Sequence, residues 1–134
     1  KLNEQNFNKD GKKHGTSTVW AEEGWKFSEG AYKDGDRSGK WNDFHSDGTK
    51  AAEYSFKAGK IHGEVKSWHE NGEIHQEIMY KDGRRYGNYI SFHPDGRRWM
   101  EGSYKDGLED GKWITTYTDG TTVEVVYKDG KKVK

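Results

Sequence analysis

Three columns of glycine run through this chain at one fixed step. The first holds Gly11, Gly35, Gly59, Gly83, Gly107 and Gly130; the second holds Gly15, Gly39, Gly63, Gly87 and Gly111; the third holds Gly24, Gly48, Gly72, Gly96 and Gly120. Successive members are 24 residues apart, apart from a final step of 23 into Gly130. A period in this range marks an array in which one supersecondary unit is copied and stacked.

The residues before the glycines say what the unit is. Asp10, Asp34, Asp82, Asp106 and Asp129 precede the first column, with Ala58 the exception; Asp47, Asn71, Asp95 and Asp119 precede the third, with Glu23 the exception. Asp-Gly and Asn-Gly favour a two-residue type I′ hairpin turn, which needs positive φ at both central positions. Turns therefore alternate at spacings of 13 and 11 residues. Such segments hold a strand but not a strand plus a helix. "WITTY", "NYISF" and "TVEVVY" are rich in β-branched and aromatic residues, as strands are, and no segment sustains a helical apolar period. The spacing predicts an all-β, single-layer antiparallel meander, an open β-solenoid of five hairpins. Its repeats fall at about 7–31, 32–55, 56–79, 80–103 and 104–126, with a C-terminal half-repeat at 127–134, all in one domain spanning 1–134.

With each third-column glycine as the second loop residue, Trp20 faces Phe27, Phe44 faces Ala51, Trp68 faces His75 and Phe92 faces Trp99. On the other side Trp41 meets Tyr54, Val65 meets Ile78, Tyr89 meets Gly102 and Trp113 meets Val126. The longer 13-residue intervals place Gly39, Gly63 and Gly87 at bulges or beneath the preceding strand's tyrosine. Both sides carry aromatics, so the layer covers itself with rings and with long Lys, Arg and Glu stems. At about 10 Å per hairpin the ribbon extends on the order of 50 Å. Polar "KLNEQN" and Lys-rich "KDGKKVK" suit its two open edges.

Composition narrows the function classes. Only 29% of residues are hydrophobic and mean hydropathy is −1.31, yet 14% are aromatic and the formal net charge is zero. That pairing describes a folded chain without a thick aliphatic core rather than a disordered one. Balanced, interspersed charge gives no global attraction to nucleic acid or anionic membrane, and no apolar run reaches the ~20 residues of a membrane span. There are no cysteines, which excludes disulfides and thiol catalysis. The chain starts at Lys1 without a signal peptide or initiator Met, so a trimmed N-terminus is expected; exported and cytoplasmic locations both stay open.

The pattern Tyr-Lys-Asp-Gly-(Lys/Arg)-x-x-Gly-x-(Trp/Tyr)-x-x-(Phe/Trp)-x-x-(Asp/Asn)-Gly resembles the MORN repeat, in its bacterial variant. Tyr32, Gly35, Gly39, Trp41, Phe44 and Gly48 carry the likeness in one copy, and equivalents recur from Phe56, Tyr80 and Tyr104. Phe7 stands one residue further from its glycine, Trp20-Ala-Glu-Glu-Gly24 replaces an Asp-Gly turn, and Thr116 replaces an aromatic. The resemblance implies an elongated sheet of hairpins used as a scaffold or protein-interaction module. Some eukaryotic relatives are linked to membranes, and some bacterial ones are described as antitoxin-like or occur on exported proteins. A fold shared by many functions carries none of them over by itself.

No reactive constellation competes with this reading. His45, His69 and His93 form a column, but equivalent residues about 10 Å apart cannot share one zinc ion. In "HENGEIH" the expected register sends His69 and His75 to opposite sides. Neither Asn6–Gly11 nor Asp106–Gly111 completes a calcium loop, because Ser17 and Tyr117 stand where Glu belongs. Glu29, Glu53, Glu77 and Glu101 face Thr18, Asn42, Lys66 and Ile90 along a sheet instead of across a cleft. The expectation is a non-enzymatic module with no catalytic residue, cofactor or metal, binding another protein and not nucleic acid. The expected binding side holds Trp41, Tyr54, Tyr80, Tyr89, Tyr104 and Trp113, and the alternative side holds Trp20, Phe27, Phe44, Trp68, Phe92 and Trp99. A carbohydrate-binding surface that stacks sugars on exposed Trp and Tyr is the alternative reading.

Overall fold

Every copy folds into two long antiparallel strands joined by two different turns. The computed structural model describes residues 3–133. The expectations for Lys1, Leu2, Lys134 and the side chain of Phe7 lie outside the described residues. In order, the strands are β1 (Asn3–Lys9), β2 (Lys12–Trp20), β3 (Lys26–Lys33), β4 (Asp36–Phe44), β5 (Lys50–Lys57), β6 (Lys60–Ile61), β7 (Gly63–Trp68), β8 (Ile74–Lys81), β9 (Arg84–Phe92), β10 (Arg98–Lys105), β11 (Leu108–Glu109), β12 (Gly111–Thr116), β13 (Thr122–Lys128) and β14 (Lys131–Lys132). They form one sheet in chain order, with β6 and β11 the detached first pieces of β7 and β12. The sheet stays open, as the meander expectation requires.

The first-column turns are type I′. Asp34 and Gly35 have φ of 50° and 90°, and Lys33 pairs directly with Asp36. Ala58 is held at the same positive φ, 51°, without the short polar side chain that eases Asp into this region. The glycine N–H is not used inside a two-residue turn, and here it reaches the preceding hairpin. Gly35 donates to the Lys13 carbonyl at 2.8 Å, Gly83 to Ile61 at 2.9 Å and Gly107 to Arg85 at 3.0 Å.

The third-column turns correct the sequence expectation. Only the glycine has positive φ, Gly48 donates to the His45 carbonyl at 2.9 Å, and His45 N–H donates to the Thr49 carbonyl at 2.8 Å. This is a three-residue loop, a type I turn closed by a left-handed glycine. The preceding Asp or Asn caps it: Asp47 Oδ1 accepts from Thr49 N–H and Asp95 Oδ1 from Arg97 N–H, each at 2.9 Å. Pro94 supplies the fixed φ that the first position of a type I turn wants.

The altered turn shifts the strands by one residue, and a bulge shifts them back. Phe44 pairs with Lys50 instead of Ala51, Trp68 with Ile74 instead of His75, Phe92 with Arg98 instead of Trp99, and Trp20 with Lys26 instead of Phe27. Beyond the bulge the expected pairs hold: Trp41 with Tyr54, Val65 with Ile78 and Tyr89 with Gly102. The last hairpin has no bulge, so Trp113 meets Val125 and not Val126. That missing residue accounts for the final 23-residue step. A second irregularity accounts for the 13-residue intervals: Glu29 pairs with Asn42 and Ala31 with Ser38, which leaves Gly39, Lys40 and Trp41 opposite Gly30.

Candidate functional site

Trp41, with its neighbours, shows how a one-layer sheet buries a ring. The indole lies on Gly30, where a Cβ would overlap it, and its N–H donates to the Ala31 carbonyl at 3.0 Å. Tyr32 and Phe56 meet the ring edge-on at centroid distances of 5.3 and 6.4 Å, and the Arg37 guanidinium covers it at 4.7 Å. Trp113 repeats the arrangement over Gly102, with its N–H to the Ser103 carbonyl at 3.1 Å and with Tyr89, Tyr104 and Tyr127 around it. Tyr54 and Tyr89 are tied down by their hydroxyls, which donate to Asp43 Oδ1 at 2.8 Å and to Gln76 Oε1 at 3.0 Å. Burial raises the Asp43 carboxyl above the ordinary range, while the Tyr54 hydrogen bond opposes that shift.

This row therefore serves as the core. Trp41 is 1% and Trp113 6% exposed, so neither ring has surface left for a partner. Their expected role as binding residues is corrected on that ground. Tyr54, Tyr80, Tyr89 and Tyr104 are half-buried along the same row.

The other expected set divides in two. Trp20, Phe44, Trp68 and Phe92 remain together, half-buried, with lysine ammonium groups lying over Phe44 and Trp68 at 5.7 and 5.9 Å. Phe27 and Trp99 are the bulge residues and leave that row. Residues three apart normally face opposite sides of a strand, yet Lys26 reaches Glu29 at 2.9 Å and Arg98 reaches Glu101 at 3.4 Å. The extra residue between them is the one turned away. Phe27 is 40% and Trp99 36% exposed.

Trp99 joins a cluster that the expected register had separated. Its ring stacks on His93 at 5.1 Å and on His75 at 6.3 Å, and His75 lies 4.4 Å from His69. The prediction that His69 and His75 point to opposite sides is overturned by the equivalent bulge at His75. His45, His69 and His93 each hydrogen-bond through Nε2 to a carbonyl one hairpin on, those of Trp68, Phe92 and Thr116, at 3.0, 2.8 and 2.8 Å. They join successive hairpins where the turns leave carbonyls unpaired. The His75 imidazole is held below its ordinary pKa by burial and then by His69. Among the described residues no group of three or more His, Asp or Glu converges on a metal-sized site.

The glutamate column faces Thr18, Asn42, Lys66 and Ile90 as expected. Glu53 is held by Lys40 at 2.7 Å, and that contact lowers its pKa. Carboxylates held ionised in this way are not poised as general acids. Pro94 was the one sequence signal that could have disclosed the three-residue loops, and through them the Trp99–histidine cluster.

Residues 61–82 match the family of the MORN repeat variant. No curated protein matches the chain. Among solved structures, a crystal structure of TarM aligns at 12% identity over 96% of this chain and 21% of that chain, with a TM-score of 0.41. An S. aureus TarM mutant in complex with fondaparinux, α-GlcNAc-glycerol and UDP aligns at 12% identity over 96% and 22%, with a TM-score of 0.44. The chain thus spans about a fifth of those proteins, and likenesses this distant carry no weight for ligand or activity. Within the chain, the matched stretch is one phase of a copy whose glycines, turns and aromatic positions recur on both sides of it. Residues 61–82 thus carry a match to the MORN repeat variant, within a pattern that the rest of the chain repeats.

Proposed function

We propose that this protein is a non-enzymatic scaffold that binds another protein through the Trp99–histidine cluster at the edge formed by the three-residue turns. MORN repeats are in general interaction modules. The observation that carries the finer reading is the contrast between two tryptophans. Trp113 is sealed over Gly102, whereas Trp99 is 36% exposed and already stacked on His93 and His75. A large ring held in place before binding loses little side-chain freedom when a partner covers it, which is the character of an interface anchor. Phe27 takes the equivalent place three hairpins away beside Trp25, with ring centroids 5.8 Å apart. The ion-paired glutamates support a role without catalysis.

A carbohydrate is the second reading, favoured by the same open indole, on which a sugar could stack. Selection from a displayed peptide library, followed by titration against Trp99→Ala, separates the two. A selected peptide should lose about ten-fold or more in affinity with this variant, as anchor residues do. Glycans that quench tryptophan fluorescence while no peptide is retained would move the assignment to carbohydrate. Peptide binding that Trp99→Ala leaves unchanged would remove the cluster from the function.

A further inference from the structure

The zero net charge conceals a separation that the fold produces. Residues 8–13, 32–37, 56–61, 80–85, 104–109 and 127–132 form the edge of type I′ turns. They hold fourteen of the 23 Lys and Arg residues but only seven of the 23 Asp and Glu residues. The rest of the chain is correspondingly acidic. Hairpins stack in chain order, so charges that alternate along the sequence collect on one rim of the sheet.

The cations on that rim are also the unneutralised ones. Away from it, Lys26, Lys40, Lys50, Lys66, Arg97, Arg98 and Lys112 all form ion pairs with carboxylates. On the rim, among the described residues, only Lys13 does, with Glu4 at 2.9 Å. Lys9, Lys33, Lys57, Lys81, Lys105 and Lys128 stand at the same position of six successive turns, and all are exposed. In four of those turns the residue directly opposite is another cation: Lys9 faces Lys12, Lys57 faces Lys60, Lys81 faces Arg84, and Lys128 faces Lys131. Like charges directly across an antiparallel pair destabilise it, so folding gains nothing from this placement and an anionic partner would relieve it. Between adjacent turns runs a groove of about 620 Å³ whose lining includes Lys60, Lys81, Arg84, Arg85 and the exposed Tyr86.

We propose that the rim docks an extended acidic segment of a partner protein, with Asp or Glu at about every third residue. This rests on the reading of the chain as a protein-binding scaffold, but it assigns a second surface, at the rim opposite Trp99. An extended left-handed polyproline-type strand brings one side chain to the same side every three residues, about 9.3 Å. Successive turns are spaced about 10 Å, so each acid of the segment meets one lysine. A nucleic acid fits the row less well. It carries a charge about every 3.4 Å along each strand, a closer spacing than that of the lysines, and Asp10, Asp34, Asp82, Asp106 and Asp129 interrupt the row.

The test measures binding of the full chain to three probes by fluorescence anisotropy or co-sedimentation. They are a peptide with Glu at every third position and Ala or Pro between, an oligothymidine of similar charge, and vesicles of phosphatidylserine and phosphatidylcholine. The peptide should bind most tightly and weaken steeply as salt rises from about 50 to about 300 mM, where exposed charges are screened. Lys57→Gln/Lys81→Gln/Lys105→Gln should lose about ten-fold or more, while Lys40→Gln/Lys66→Gln/Lys112→Gln binds as the parent does. Trp99→Ala should leave peptide binding intact, so failure at the rim is distinguishable from failure at the histidine cluster. Tighter binding of the oligothymidine or of the vesicles would overturn the assignment. So would equal loss in the two triple variants, or no peptide binding at about 50 mM salt. Thermal melts of both variants establish that any loss is not unfolding.

Discussion

Trp113 becomes buried in a sheet one layer thick because Gly102 lets its ring lie against the neighbouring strand. The same two places, stepped by 24 residues, hold Gly30 and Trp41, Tyr54 and Val65, and Ile78 and Tyr89. Size in one place is matched by smallness in the other, as close packing demands. Gly102 does not have positive φ, so a side chain there is opposed first by the indole. Gly102→Ile should therefore destabilise the protein by about 2–3 kcal/mol through overpacking. Adding Trp113→Tyr, which copies the native Ile78–Tyr89 pair, should recover much of the loss. A double-mutant cycle by urea unfolding checks this, and purely additive effects would show that the two places are not coupled.

The two kinds of Asp-Gly turn look alike as sequence but differ as hairpins. In one, Asp82 and Gly83 are both left-handed and Lys81 pairs with Arg84; in the other, Asp95 is a cap and Gly96 alone is left-handed. Proline distinguishes them. Glu70→Pro reproduces what Pro94 does one copy later and should leave stability unchanged or raise it by about 0.4–1 kcal/mol. Lys81→Pro removes a backbone donor from a paired strand and should cost about 1–3 kcal/mol. Chemical denaturation of the two variants makes the comparison, and equal effects would contradict the assignment of the turns. Strands, their order and the inner pairs were legible because the glycine columns mark every reversal and alternation sets the register between them. The outer pairs were not, because the dipeptide at Gly48 does not disclose whether its loop holds two residues or three. That single residue decides whether Trp99 faces Phe92 or His93.

Across the sheet, neither exposure nor charge distribution follows from local pattern. Trp41 and Trp99 both sit in strands among polar neighbours, and only stacking of one hairpin on the next covers one and leaves the other open. The lysines before the first-column turns are likewise interspersed with acids along the chain, and they form a continuous rim only when six turns line up. The candidate surfaces therefore became visible only at the level of the assembled ribbon, while the fold was visible from its glycines. The binding role proposed for the Trp99–histidine cluster depends on the division of the tryptophans into sealed and open rings. Hydroxyl-radical footprinting read out residue by residue tests that division most directly. Trp99 should be modified several-fold faster than Trp41 and Trp113 in the free protein; comparable rates for all three would contradict the account.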